Sequence, residues 1–190
     1  MKIKIFAIIG AICTMLCFDA CKSSKKTQAS KEPTKVEKKS TTKTKSNQIN
    51  TDNIAIYQTE QGKIDQKLIK EYLAKNALSK YGVTKSGVYY VVEKSGTAQK
   101  PTINSNVNCH YKGYLLDGTQ FDSSYDRGQS TQFPLSGVIQ GWQEGIPTIG
   151  KGGKVKLLIP SGLAYGSRGI GNIIKPNSVL VFDVELIDFQ

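Results

Sequence analysis

Four stretches in the last hundred or so residues of this 190-residue chain alternate apolar and polar side chains with a period of two. That period sends successive side chains to opposite faces of an extended strand and does not fit a helix. In NVNCHYKGYLL, residues 106–116, Val107, Cys109 and Tyr111 share one face, and Asn108, His110 and Lys112 the other. KVKLLIP groups Val155, Leu157 and Ile159, and SVLVFDVELIDF groups Leu180, Phe182, Val184 and Leu186. GVYYVVEK, from Gly87, reads as a further strand. Turns are marked by Asp117–Gly118 and by glycine-rich runs at 150–153 and 166–171. GVIQGWQEGIP predicts a short helix starting near Val138. The expected class is α+β, an antiparallel β-sheet wrapped around that short helix.

Upstream, the period changes to that of a helix. In KIDQKLIKEYLAKNALSKYG, Ile64, Leu68, Tyr72 and Leu73 recur at helical spacing and Gly82 offers a stop, which predicts an amphipathic helix over roughly 63–79. It either packs on the following domain or dimerises. A lone helix of this length is marginal, which favours packing. Residues 22–52 are Lys, Ser and Thr with almost no apolar side chains, too few to offset ordering entropy. They read as a disordered tether with an end-to-end distance on the order of 30 Å. Residues 1–21 begin with Lys2 and Lys4 and continue in an apolar run from Ile5 to Phe18, a signal-peptide pattern too short for a comfortable membrane span. Ala20 then precedes Cys21, an arrangement that resembles a bacterial lipoprotein signal with Cys21 as the lipidated residue. The expected organisation is a signal peptide at 1–21, a tether at 22–52, a helical segment at 53–83 and a β-rich domain at 84–190. The expected location is the cell envelope, lipid-anchored on a periplasm-facing membrane.

Net charge is +11, yet the tether alone carries +6 and residues 53–190 only +4. An excess concentrated in a segment that cannot fold is not a shaped basic face, and no recognition motif accompanies it, so a nucleic-acid partner is not expected. A purely electrostatic surface protein for anionic polymers would bind through residues 22–52. Of the four cysteines, three fall in the first 21 residues, and the remaining domain keeps only Cys109. It can form no internal disulfide there and reads as a small core residue. His110 is the only histidine. Neither a zinc site nor a cysteine–histidine pair is supported.

GYLLDGTQFDSSYDRG, residues 113–128, holds Asp117, Asp122 and Asp126 five and four residues apart. That spacing is wrong for a calcium loop, and no metal site is expected. A nucleophilic triad lacks a placed histidine. The stretch does fit a hairpin turn at Asp117–Gly118, followed by a strand with Phe121 and Asp122 on opposite faces or at a bulge. Trp142, the only tryptophan, is flanked by glycines and is either the floor of a depression or a plain core residue.

Four segments together, VNCHYKGYLLDGTQFDSSYDRG, FPLSGVIQGWQEGIP, KLLIPSGLAYGSRG and IKPNSVLVFDVELIDF, resemble the successive signatures of the FKBP-type peptidyl-prolyl isomerases, the macrolide-binding family. The resemblance covers residues 84–190, and the leader, tether and helix resemble those of lipid-anchored bacterial members. It implies an FKBP-like fold and cis–trans isomerisation of Xaa–Pro bonds in exported polypeptides, with no cofactor. It names macrolide inhibitors as candidate ligands, and it leaves the oligomeric state open. By motif it implies catalytic roles for Asp122, Tyr165 and Phe182. The substrate-binding walls would be Tyr111, Phe121, Val138, Ile139, Trp142, Ile173 and Ile174. A binding module that holds Pro-containing segments with weak catalysis is the alternative. Two positions depart from the family pattern. Thr131 replaces an aromatic before Phe133, and Lys175 replaces a proline after Ile173–Ile174. The first makes the rim less apolar and lowers the expected activity or macrolide affinity; with the second, Ile173 and Ile174 remain and the loop is still expected to overhang the pocket.

Overall fold

The computed structural model describes residues 49–190. The leader, Cys21 and all but the last four tether residues lie outside the described residues. One seven-stranded antiparallel sheet dominates: β1 (Gly82–Val83), β2 (Tyr89–Lys94), β3 (Asn106–Leu115), β4 (Gln120–Ser123), β5 (Thr131–Pro134), β6 (Lys154–Ile159) and β7 (Leu180–Phe189). Their order is β1-β2-β6-β7-β3-β4, and β5 also pairs with β3. Two ten-residue strands, β3 and β7, run side by side at the centre from Val107↔Phe189 to Leu115↔Leu180. On its other edge β3 pairs with β5 through Asn106–Cys109 and with β4 through Lys112–Tyr114.

Both faces of the sheet are covered, by different helices. The predicted apolar sets, Val107, Cys109 and Tyr111, Val155, Leu157 and Ile159, and Leu180, Phe182, Val184 and Leu186, join one core with Trp142 of the short helix α2 (Gln140–Gly145). That helix starts two residues beyond the expected Val138. Ile139 still has extended backbone (ψ 148°) and caps it. Cys109 is fully buried, and burial pushes its thiol up to about 12. The opposite strand phase, Tyr89, Leu158 and Val181, buries against Tyr57, Ile69 and Leu73. The last two belong to helix α1 (Glu60–Lys75).

The bounds and the packing face of α1 differ from the sequence reading. Thr59 Oγ1 accepts the Gly62 N–H at 2.9 Å, so the helix starts at Glu60. It ends at Lys75, because Ala77 takes a positive φ of 54° and the Leu78 N–H closes back on the Leu73 carbonyl. Gly82 therefore opens β1 rather than stopping the helix. The buried stripe is Gly62, Asp65, Ile69 and Leu73, whereas Ile64 and Leu68 are exposed. The physical reason is Asp65. Its carboxylate is 1% exposed and accepts bonds from the Ser161 N–H (2.8 Å) and hydroxyl (2.6 Å), which turns the helix about its axis.

Candidate functional site

A β-bulge builds one wall of the site. Gly113 pairs with Asp122 and Tyr114 with Gln120, so Phe121 is the extra residue without a partner on β3. Regular alternation would send Phe121 and Asp122 to opposite faces. With the bulge, both line the same cavity. The preceding turn closes through Gly118 N–H to Leu115 O (2.9 Å), which centres it on Leu116–Asp117 with Gly118 following at φ 91°. Gly113 leaves room for the ring edges: a Cβ there would lie 2.5 Å from Phe121 Cε2 and 2.8 Å from Phe182 Cε1.

Glycines also seat α2. A Cβ on Gly145 would lie 2.6 Å from Leu157 Cδ1, and one on Gly141 would collide with Ile159, so the helix can rest directly on β6. This close approach fixes Trp142, 4% exposed, beneath the cavity. Three rings meet it edge-on: Tyr111 at 5.1 Å and 85°, Phe182 at 5.2 Å and 83°, and Phe133 at 5.5 Å and 84°. Such edge-to-face sets hold one another in place. The indole Nε1 is buried and has no hydrogen-bond partner among the described residues.

The cavity measures about 620 Å³. All ten residues singled out in the sequence line it: Tyr111, Phe121, Asp122, Val138, Ile139, Trp142, Tyr165, Ile173, Ile174 and Phe182. Phe133, Gly137 and Ile170–Asn172 join them unforeseen. Ile170 and Ile174 form an isolated bridge that folds the rim loop, and Ile170 and Ile173 are exposed at its mouth.

Asp122 is the only carboxylate in the lining, and it is held from two sides. Tyr111 donates its hydroxyl to Oδ2 at 2.6 Å, and Arg127 Nη1 reaches Oδ1 at 2.5 Å. Arg127 Nη2 donates to the Tyr111 hydroxyl at 2.8 Å and lies 3.4 Å from Thr131 Oγ1. The guanidinium also sits 5.5 Å from the Tyr111 ring centre. Sequence reasoning gave Arg127 no role, although it lies five residues after Asp122 in the same stretch. Thr131 thus places a hydroxyl beside this arginine. Burial raises the Asp122 carboxyl, but the Tyr111 hydroxyl and Arg127 outweigh it and hold the group below the usual carboxylate range. Burial, then the Asp122 charge, pushes the Tyr165 hydroxyl up, so it remains a donor at neutral pH.

The three acids of residues 113–128 do separate work. Asp117 accepts from the Thr119 N–H (2.8 Å), Asp126 from Gln120 (2.6 Å), and Asp122 faces the cavity. Among the described residues no group of three or more His, Cys, Asp and Glu side chains could hold a metal ion. His110 does approach a hydroxyl, with Nδ1 3.0 Å from Ser124 Oγ. That hydroxyl is fully buried, bonded to the Tyr111 backbone and outside the cavity lining, so it presents no nucleophile. What remains is an apolar, ring-walled hollow with one anchored carboxylate and one phenolic donor. It suits holding an uncharged planar group away from water.

Comparison with known proteins agrees with that chemistry. Residues 97–187 match the family model described as FKBP-type peptidyl-prolyl cis-trans isomerase. The chain is 54% identical over 128 residues to the FKBP-type peptidyl-prolyl cis-trans isomerase FkpA of Aeromonas hydrophila, an alignment covering 66% of this chain and 47% of that one. The crystal structure of FkpA from Escherichia coli superposes with a TM-score of 0.60 at 44% identity, covering 70% of this chain and 64% of that one. A peptidyl-prolyl cis-trans isomerase structure from Pseudomonas syringae pv. tomato gives a TM-score of 0.59 at 34% identity, covering 67% of this chain and 92% of that one. The chain spans about half the length of the curated relatives it matches.

Proposed function

Because the chain belongs to the FKBP-type peptidyl-prolyl cis-trans isomerase family, we propose that it accelerates rotation about Xaa–Pro bonds in polypeptides, with the ring-walled cavity as the site. The single observation that carries this reading is the convergence of Trp142, Tyr111, Phe121 and Phe182 with Asp122 and Tyr165 on one hollow.

The reaction breaks no bond. Amide resonance gives the C–N bond double-bond character and a barrier of about 18–20 kcal/mol. Resonance also charges the carbonyl oxygen, and water stabilises that charge separation. An apolar hollow that strips water from the imide disfavours the planar ground state more than the twisted, less polar transition state. A 10⁵-fold acceleration needs only about 7 kcal/mol of differential stabilisation. Trp142 would floor the proline ring, with Phe121, Phe182 and Tyr111 around it. The Tyr165 hydroxyl and the Ile139 N–H, which lies outside the helix's own bonding, would hold substrate carbonyls. Asp122 would face the twisting carbonyl and act through its field.

The leader pattern and Cys21 support a setting at the cell envelope, tethered by lipid and acting on exported chains. Several acyl chains at about 0.8 kcal/mol per buried methylene would hold it there. Macrolide inhibitors would enter the same hollow, weakened where Thr131 replaces a ring.

A peptide isomerisation assay on the full chain tests the reading. The wild type should turn over an Xaa–Pro peptide, and Asp122→Ala combined with Phe182→Ala should lose at least a hundredfold in kcat/KM. Wild-type rates in that double variant would overturn the assigned pocket. Peptide binding without turnover would favour the holding module.

A further inference from the structure

We infer that Asp65 of α1 is a positioning residue for the pocket, acting through Ser161 on the loop that carries Tyr165. The inference rests on the isomerase reading and extends it to a helix that precedes the matched family segment, residues 97–187.

The geometry is a short chain of buried contacts. Asp65 lies on the sheet-facing stripe of α1, and its Oδ2 accepts both the Ser161 N–H (2.8 Å) and the Ser161 hydroxyl (2.6 Å). Both residues are 1% exposed, and Gln61 Nε2 holds the other oxygen at 2.7 Å. Bonds of this kind, with a charged acceptor in a dry site, are strong and costly to leave half-made. Ser161 opens the one-turn 3₁₀ segment Ser161–Leu163, closed by the Ala164 N–H on the Ser161 carbonyl at 3.0 Å. Tyr165 follows directly and lines the cavity.

A second contact clamps the same turn. Ile56, in the segment leading into α1, packs so close to Gly162 that a Cβ there would lie 3.1 Å from Ile56 Cδ1. Gly62 permits this approach, since a Cβ on it would collide with the Ile56 carbonyl. The turn is thus held from the α1 side of the sheet, while the ring it aims lines the cavity on the α2 side. A carboxylate buried on a helix merely to pack would be replaceable by an apolar residue. This one satisfies two donors of the pocket loop.

The test is a double-mutant cycle on the full chain, Asp65→Ala against Tyr165→Phe, with kcat and KM for an Xaa–Pro peptide. Tyrosine-ring NMR runs beside it, with exposed Tyr125 as the internal control. Asp65→Ala should raise KM about three- to tenfold, as expected for one misplaced hydrogen bond, with kcat within about twofold. It should shift the Tyr165 ring signals and not those of Tyr125, and its kinetic effect should vanish in the Tyr165→Phe background. Additive losses, or Tyr165 signals identical to wild type, overturn the inference. If Asp65→Ala does not fold, Ser161→Ala keeps the backbone donor and removes only the hydroxyl bond. It should shift the Tyr165 signals in the same direction by less, and no shift overturns the inference. An inactive wild type would sink the isomerase reading, whereas the ring signals would still decide whether Asp65 positions Tyr165.

Discussion

Asp122 ionises more readily than an ordinary aspartate, and both neighbouring phenols ionise less readily, so no group lining the cavity changes charge near neutrality. A carboxylate with a depressed folded pKa contributes stability that is present above its unfolded value and lost as pH falls through the folded one. The Asp122–Arg127 contact should therefore begin to lose its stabilising effect only below about pH 4, the ordinary aspartate value, and the ion pair itself should survive to lower pH. The isomerisation rate should be flat from about pH 5 to 9 and decline only in acid. A step near pH 6–7 would show that a group outside this set controls the reaction. Gly113 offers a second residue-level check. Its missing Cβ is the space into which the edges of Phe121 and Phe182 fit. Gly113→Ala should cost about 1–3 kcal/mol in urea unfolding, as overpacking does. It should also lower kcat/KM at least tenfold, more than the destabilisation of a still-folded protein explains. Arg127 shows where residue-level reading stopped. An exposed arginine beside an aspartate looks like solvated charge, and only the fold brings it to both Asp122 and the Tyr111 hydroxyl.

Elements were legible wherever one physical rule acted alone. The strand phases that pack on Trp142 follow from alternation, and all of them lie in that core. The bulge at Phe121 was not decided by sequence, because an extra residue leaves no compositional mark and the pattern admitted either outcome. The runs Leu157–Ile159 and Leu180–Phe182 carry apolar residues in both phases, a sign of burial on both faces. What covers Leu158 and Val181 depends on the orientation of α1. That orientation was misread because a carboxylate is normally placed outside, whereas Asp65 is inside with three donors around it. The α2–β6 contact makes an element-level prediction. Gly145→Ala should push α2 off Leu157, shift Trp142 fluorescence and destabilise by about 1–3 kcal/mol. Unchanged fluorescence would mean that Trp142 is not held by this approach.

The described chain, residues 49–190, shares its buried surface across one sheet, so α1 should unfold with the rest. Ile69 is fully buried between α1 and the sheet. Ile69→Ala should cost about 2–5 kcal/mol, and the loss should appear equally in Trp142 fluorescence and far-UV circular dichroism. Two separated transitions would mean that α1 is an independent unit. The sheet is a single layer with a ligand hollow on one side and a helix on the other. Adjacent letters of one strand therefore answer to different demands: Leu157 and Phe182 to the core that floors the hollow, Leu158 and Val181 to the helix. Evolution can retune one side while the other stays fixed, except at the Ser161–Gly162 turn held by Asp65 and Ile56, where changes on the two sides must be made together.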